Sequence, residues 1–362
     1  MNITIISAYF YPEITPRAFR TTELVMEFIR RGYNVTLYIP KRDYVYDEFI
    51  RQYPIVIKYF SDYQMASKKL PKGYSLVERG YRYLYYRFSH YTEYPQIQYV
   101  KDICKALKGT SHDVIISIAA PHCIHWGVAR AIQENSKLCR RWIADCGDPF
   151  MGDQTQNHPF YFKRAEKQFC RYADYITIPI ESAKDAYYAE FRDKLRVIPQ
   201  GFDFSIKKSV QVKNSIPTFA YAGALYKGYR DLNNFVELLR KNYSDRAYKF
   251  IVYAQKSSLT ESYKAILGDK IEIREYIPRE ELFDVLSKMD FLLNIENAGK
   301  VQSPSKLIDY YLIGRPILSV PREIREDIVD EFFNNDYKHA LPLENMDQYN
   351  IVNVVNEFSQ LF

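Results

Sequence analysis

Apolar residues along this chain fall in short runs of strand length, separated by stretches of helical spacing. Ile3 to Ala8 is the first run. A loop containing proline, Tyr9 to Arg17, follows, and then Ala18, Thr21, Leu24, Val25 and Phe28 recur at the spacing of one helix face. Gly32 stands where a helix ends, and Asn34 to Ile39 reads as the next strand. Strand, loop, helix, glycine and strand in that order predict a βαβ unit with parallel strands and a right-handed crossover. Val114 to Ile118, Arg141 to Ala144, Tyr175 to Ile178 and Leu195 to Ile198 extend the series.

The pattern then stops and restarts. Ile198-Pro199-Gln200-Gly201-Phe202-Asp203 leads into a polar stretch, Lys207 to Ser215. Thr218 to Ala222 opens a second series, with Leu232, Phe235, Val236 and Leu239 on one helix face. Strands at Phe250 to Tyr253, Ile271 to Ile273, Phe291 to Asn294 and Ile317 to Val320 follow. A chain of 362 residues exceeds one ordinary core. The expectation is two Rossmann-like α/β domains, 1–203 and 204–345, with a terminal helix over 346–362 packing back on the first. Such halves bind ligands at the carboxyl edges of their sheets, facing across a cleft.

Composition narrows the class. Hydrophobic residues make up 47% and charged residues 26%, as in soluble globular proteins. There is no apolar run of about 18 residues, so no spanning helix is expected. The start, Met1 to Ile6, enters a strand pattern at once, unlike a signal peptide. A net charge of +6 is too mild to imply nucleic acid. Cys104, Cys123, Cys139, Cys146 and Cys170 show no CxxC spacing and read as reduced, mostly buried thiols in a cytoplasmic protein, with no zinc site expected. The 34 tyrosines and 22 phenylalanines supply rings that sugar sites and membrane surfaces both use.

The segment 68–91 stands apart. From Lys68 to His90 it carries six Lys or Arg against one acid, Glu78. A helix from about Leu76 groups Val77, Tyr81, Leu84, Phe88 and Tyr91 on one face and Arg79, Arg82, Tyr83, Tyr86 and His90 on the other. Two readings remain open: an ordinary helix with a solvated basic face, and peripheral contact with an anionic membrane.

The strongest chemical signal is Ser303-Pro304-Ser305-Lys306-Leu307-Ile308-Asp309-Tyr310. Ser303 suits an N-cap and Pro304 the first helical position. The free N–H groups at Ser305 and Lys306, with the helix dipole and the Lys306 charge, make an anion site. Asp309 lies one turn on, placed to accept from the hydroxyls of a ribose whose phosphates sit at the helix mouth.

The block Ile271 to Val320 resembles the donor domain of family 4 glycosyltransferases of the GT-B fold. The pieces are Tyr276-Ile277-Pro278-Arg279-Glu280-Glu281-Leu282, Met289 to Asn294, Pro304 to Tyr310 and Gly314-Arg315-Pro316-Ile317. Tyr9-Phe10-Tyr11-Pro12-Glu13, Trp142 to Phe150 and Ile198 to Asp203 resemble the family's first loop, a subgroup motif and the interdomain segment. The resemblance implies retaining transfer from a UDP- or GDP-type nucleotide sugar to a saccharide or lipid-linked saccharide. Many members of that subgroup build bacterial surface polysaccharides.

Residue by residue, the resemblance implies a diphosphate clamp after the first strand of the second half. The family's arginine position is held by Ala224, leaving Gly223, Lys227 and Arg230 as the local donor-binding group. Asp309 matches the second of two family acids. The first position is Val301, and Glu296 is the acid in the preceding loop placed to substitute. Asp145 takes the place of a sugar-contacting histidine, giving Asp145 and Glu296 as candidate catalytic groups. Thr15 and Arg17, which replace a glycine-rich loop, and His122 and His125 are candidates for phosphate or acceptor contact. No metal is required if the cations neutralise the diphosphate. A sugar-nucleotide epimerase and a catalytically silent scaffold are the alternatives. A dehydrogenase would want GxGxxG, and Gly223 and Gly228 do not have that spacing.

Overall fold

The structure is a computed structural model that describes residues 1–62, 75–153, 156–205, 212–228, 230–295, 305–321 and 323–362. The chain divides into two compact units: Met1–Asp203 with Asp347–Phe362, and Phe204–Met346.

The first unit is a seven-stranded parallel sheet. Its strands are β1 (Asn2–Ser7), β2 (Asn34–Pro40), β3 (Val56–Ser61), β4 (His112–Ala119), β5 (Cys139–Cys146), β6 (Tyr175–Ile178) and β7 (Leu195–Val197), in spatial order β3-β2-β1-β4-β5-β6-β7. Parallel strands buried on both faces read as continuous apolar runs. Alternate side chains then divide between two cores. Ile6, Ile115, Trp142 and Ile176 enter one; Ile5, Val114, Ile116 and Ile143 enter the other.

The helices that position candidate residues are α1 (Pro16–Arg30), α2 (Asp47–Gln52), α3 (Leu76–Thr92), α4 (Gln98–Ala106), α5 (Cys123–Glu134) and α6 (Phe162–Tyr172). Thr15 caps α1, its hydroxyl oxygen accepting from Ala18 N at 3.1 Å. α3 is closed by a capping box between Ser75 and Glu78 and buries no residue along its length. Leu76 and Val77 are 84% and 83% exposed and Leu84 67%, so neither face is covered by the described part of the chain. No helix of the described residues is long and apolar enough to cross a membrane.

The second unit is a five-stranded parallel sheet of β8 (Thr218–Ala222), β9 (Lys249–Tyr253), β10 (Ile271–Arg274), β11 (Phe291–Ile295) and β12 (Ile317–Val320), ordered β10-β9-β8-β11-β12. α7 (Asn233–Asn242), α8 (Ser258–Leu267), α9 (Arg279–Leu286), α10 (Ser305–Ile313) and α11 (Glu326–Phe333) connect and follow these strands. Phe219 stacks on Phe250 and Phe291 in its core, and Phe333 packs against it at a tilt.

The last helix, α12 (Ile351–Ser359), belongs to the first unit. Ile351, Val354, Val355 and Phe358 share a core with Leu24 and Phe28 of α1. Phe202 N donates to Tyr349 O at 2.8 Å and Ile351 N to Phe202 O at 2.9 Å, so the segment leaving this unit pairs with the segment returning to it. Gly201 is needed there: a Cβ would lie 2.4 Å from Ile351 Cδ1 and 3.2 Å from Ile351 Cα.

Candidate functional site

In the second unit the strand order reverses between β8 and β11, and a doubly wound sheet opens a crevice for ligands at such a point. β8 ends at Ala222 and runs into Gly223; after β11, α10 begins at Ser305. Gly223, at φ 147°, leaves the space that a Cβ would place 3.3 Å from Tyr221 Oη and 3.6 Å from Lys306 Nζ. Lys306 lies over the Tyr221 ring, its Nζ 3.5 Å from the centroid, and 5.4 Å from that of Tyr310. Tyr221 is fixed by donating to Ala224 O at 3.0 Å. Tyr310 accepts from Ala222 N and donates to Leu293 O, both at 3.2 Å, tying α10 to the ends of β8 and β11.

Lys306 forms no ion pair with the described residues. Burial and then the neighbouring Arg230 push its pKa well below the usual lysine range. Two cations are therefore held together at the start of a helix, where unsatisfied N–H groups add further positive potential. Arg230 pairs its backbone with Tyr226 across a turn, at 2.7 and 2.8 Å, and Lys227 stands exposed at the tip of that turn. Asp309 lies further along α10. Its Oδ1 accepts from Arg279 Nη2 at 2.6 Å and Nε at 3.1 Å. Burial raises its pKa, and Arg279 opposes that shift. Ser305 contributes its backbone as the first residue of α10. Ser303, Pro304, Val301 and Glu296 lie outside the described residues. Tyr221 and Arg279 were not among the residues the sequence singled out for the site, although Arg279 stands in the Tyr276–Leu282 block.

In the first unit the order reverses between β1 and β4. Arg17 reaches this edge, its Nη1 3.5 Å from Ala119 O. It passes over Gly147, where a Cβ would lie 2.4 Å from the guanidinium carbon. Burial lowers its pKa, while Asp145 and Asp148 raise it against the repulsion of Arg20. Arg17 is thus a half-buried cation on the ligand edge of the sheet.

Three expectations for this unit are corrected. Asp145 is a structural anion. Its side chain is 3% exposed, and it accepts from Arg20 Nε at 3.0 Å, Arg20 Nη2 at 2.8 Å and Thr177 Oγ1 at 2.7 Å. Burial raises its pKa, but the Arg20 charge and hydrogen bonds outweigh this and hold it below the usual value. Both oxygens are committed, so the carboxylate has no edge left for a sugar. Arg20 goes on to the carbonyls of Ile198 and Pro199, tying α1 to the end of the unit's sheet. His125 is wholly buried, with Nδ1 2.8 Å from Ser117 Oγ and Nε2 3.4 Å from Cys146 Sγ, so it contacts no acceptor. Thr15 spends its oxygen on the α1 cap. His122 is 7% exposed and holds Asp148 O at 3.2 Å, and burial pushes it down to about 4.

No known family model matches the sequence, and no curated protein matches it either. Solved structures do match over the whole chain. A glycosyltransferase from Rickettsia africae ESF-5 superposes with a TM-score of 0.63 at 11% identity, covering 99% of this chain and 97% of that one. HepE of Anabaena, in complex with UDP, gives 0.61 at 10% identity, covering 99% of each chain. UDP-GlcNAc 2-epimerase from Neisseria meningitidis, bound to UDP-GlcNAc, gives 0.55 at 12% identity, covering 100% and 99%. With seven and five parallel strands in its two units, the chain has the GT-B fold of these glycosyltransferases.

Proposed function

We propose that this chain transfers a sugar from a UDP- or GDP-type nucleotide donor to a saccharide or lipid-linked saccharide acceptor, with retention of configuration, in the making of a surface polysaccharide. The observation that carries the reading is Lys306: a half-buried cation stacked on Tyr221, beside Arg230, at the start of α10 and the carboxyl edge of β8. Lys306 has no acidic partner among the described residues, so a ligand anion would bring its counter-charge. The leaving group of a nucleotide sugar is a diphosphate, and stabilising its developing charge is the largest electrostatic demand of the reaction. Lys306, Arg230 and the first N–H groups of α10 meet that demand with no metal ion, and Lys227 adds charge from the exposed turn. Asp309, oriented by Arg279, keeps Oδ2 for the ribose hydroxyls. Arg17 meets the acceptor or a phosphate.

The work would be done at the inner face of the cytoplasmic membrane, with α3 as the contact. Its exposed Val77, Leu84 and Phe88 insert, while Arg79 and Arg82 face anionic headgroups. The experiment is a thermal-shift panel of nucleoside diphosphates followed by hydrolysis of the matching nucleotide sugars. Stabilisation by UDP or GDP with sugar release supports transfer. No stabilisation by any diphosphate leaves a silent scaffold. The likeness to the Neisseria meningitidis epimerase favours a second reading, in which a nucleotide sugar is converted to its epimer without any acceptor. Product analysis by NMR in the absence of acceptor decides between the two. Flotation with anionic vesicles tests α3, and an Arg79→Glu/Arg82→Glu variant that still floats overturns the contact.

A further inference from the structure

The first unit contains a buried cluster that plays no part in the proposed transfer. β4 and β5 are neighbours, with Ala119 in register with Cys146. The turn after β4 leads to His122 and then to His125 in the first turn of α5. One ligand atom each from His122, His125 and Cys146 lies within 4.8 Å of the other two, and all three residues are buried.

The hydrogen bonds around the cluster are incomplete in a particular way. A carbonyl oxygen only accepts, so the His122 nitrogen facing Asp148 O, Nε2, carries the proton. Nδ1 of that ring is then a lone pair, and it is buried without a partner. The Tyr187 hydroxyl is buried beside the Cys146 thiol and interacts with it. His122 Nδ1 is thus a buried acceptor left over beside the thiol and the second imidazole. Native interiors leave few such atoms, and a bound ion is one of the standard partners for them. His125 is oriented in the way a ligand imidazole is held. Ser117 Oγ, itself accepting from Trp142 Nε1 at 2.8 Å, lies 2.8 Å from Nδ1 and turns Nε2 toward the thiol.

We propose that His122, His125 and Cys146 bind one divalent transition-metal ion, with the Tyr187 oxygen or a water as fourth ligand. Two imidazoles and a thiolate select zinc among the common ions. The observed Nε2 to Sγ distance is 3.4 Å. Zinc bonds of about 2.3 Å to sulfur and 2.0–2.1 Å to nitrogen at a tetrahedral angle place those two atoms about 3.5 Å apart. On entry of the ion the thiol loses its proton to solvent, the imidazoles stay neutral, and no electron moves. The site then carries one net positive charge, and the buried carboxylate of Glu166, close enough to act on Cys146, lies on the compensating side. His125 and Cys146 are 0% and 1% exposed, so no position is open to substrate and the ion is structural. It would fasten the start of α5 to the end of β5, below the edge that Arg17 reaches.

The test uses the full chain, purified without a histidine tag or chelator, with elemental analysis of zinc. One ion per chain is expected, lost together in Cys146→Ser and His122→Ala. Cobalt substitution should give a near-ultraviolet thiolate-to-cobalt band that Cys146→Ser removes. If Cys146→Ser does not fold, His122→Ala and chelation of the wild-type chain carry the test, with a lower melting temperature restored by zinc. Protein that holds no metal and takes up neither zinc nor cobalt overturns the site, as does a metal content that survives both substitutions. Neither readout depends on sugar transfer, so failure here leaves the proposed activity standing, and the reverse.

Discussion

Replacing Lys306 by methionine separates the needs of the empty protein from those of its ligand. Methionine keeps the length and the packing on Tyr221 and removes the charge. The empty protein loses a cation–π contact worth about 0.5–2 kcal/mol. It also loses the desolvation and the Arg230 repulsion that depress the Lys306 pKa. These effects oppose each other, so stability should move by no more than about 1 kcal/mol. Binding is different. An ammonium donating to a phosphate oxygen contributes about 1.5–3 kcal/mol, so nucleoside diphosphate affinity should fall by about 10- to 150-fold.

A pH signature accompanies the charge. The folded Lys306 pKa lies below its ordinary value of 10.5. Below the folded pKa both states are protonated and the penalty of the buried charge is full. Above it only the unfolded chain holds the proton, so stability rises with pH up to about 10.5. A bound diphosphate favours the protonated ammonium and raises its pKa again. Titration calorimetry in two buffers of different ionisation enthalpy should show proton uptake in the wild type and none from this group in Lys306→Met, with wild-type affinity declining as pH rises. Unchanged affinity for UDP and GDP in the variant refutes the placement of the diphosphate, and a variant that fails to fold refutes the stability estimate.

Asp145→Ala should cost about 3–5 kcal/mol in urea unfolding, because it leaves Arg20 buried without its partner; Arg20→Met/Asp145→Leu should recover much of the loss, and an Asp145→Ala protein of wild-type stability contradicts the structural role. The same pair sets an acid limit: with the folded Asp145 pKa below 3.8, its stabilisation is full above that value and is lost as pH falls through the folded pKa. Asp309→Ala should abolish discrimination between ribo- and 2′-deoxyribonucleoside diphosphates, measured by their dissociation constants, while a preserved preference removes Asp309 from the ribose. Gly201→Val should destabilise the first unit by about 1–3 kcal/mol by forcing Ile351 aside, seen as a lower melting transition by calorimetry, and an unchanged transition means that the approach is loose.

Both sheets were largely legible in the sequence because parallel strands covered on both faces must be apolar throughout. Tyr175–Ile178, Thr218–Ala222 and Ile317–Val320 have the same limits in sequence and structure. β3 escaped notice because it is an edge strand with Val56 and Tyr59 54% and 45% exposed, so no apolar run marks it. The cations of the second unit were legible because chemistry fixes their type. Tyr221 was not, since an inward ring on a buried strand looks like any core residue until Lys306 is seen above it. Asp145 was misread for want of its partner. The signal was present: Arg20 stands four residues before Leu24 and eight before Phe28, on the apolar stripe of α1, and a cation on such a stripe calls for a buried acid elsewhere.

The pairing of Phe202 with Tyr349 and Ile351 has a consequence for how the protein is made. The first unit's core includes α12, which leaves the ribosome only after the whole second unit has been synthesised. The second unit can therefore finish folding first, while the earlier part of the chain waits with the surface for Phe358 uncovered. Asp203 and Asp347, where the chain leaves and re-enters the first unit, each lie within a few residues of that pairing. A gene that joins them with a short linker and omits 204–346 should yield the first unit as a free-standing fold.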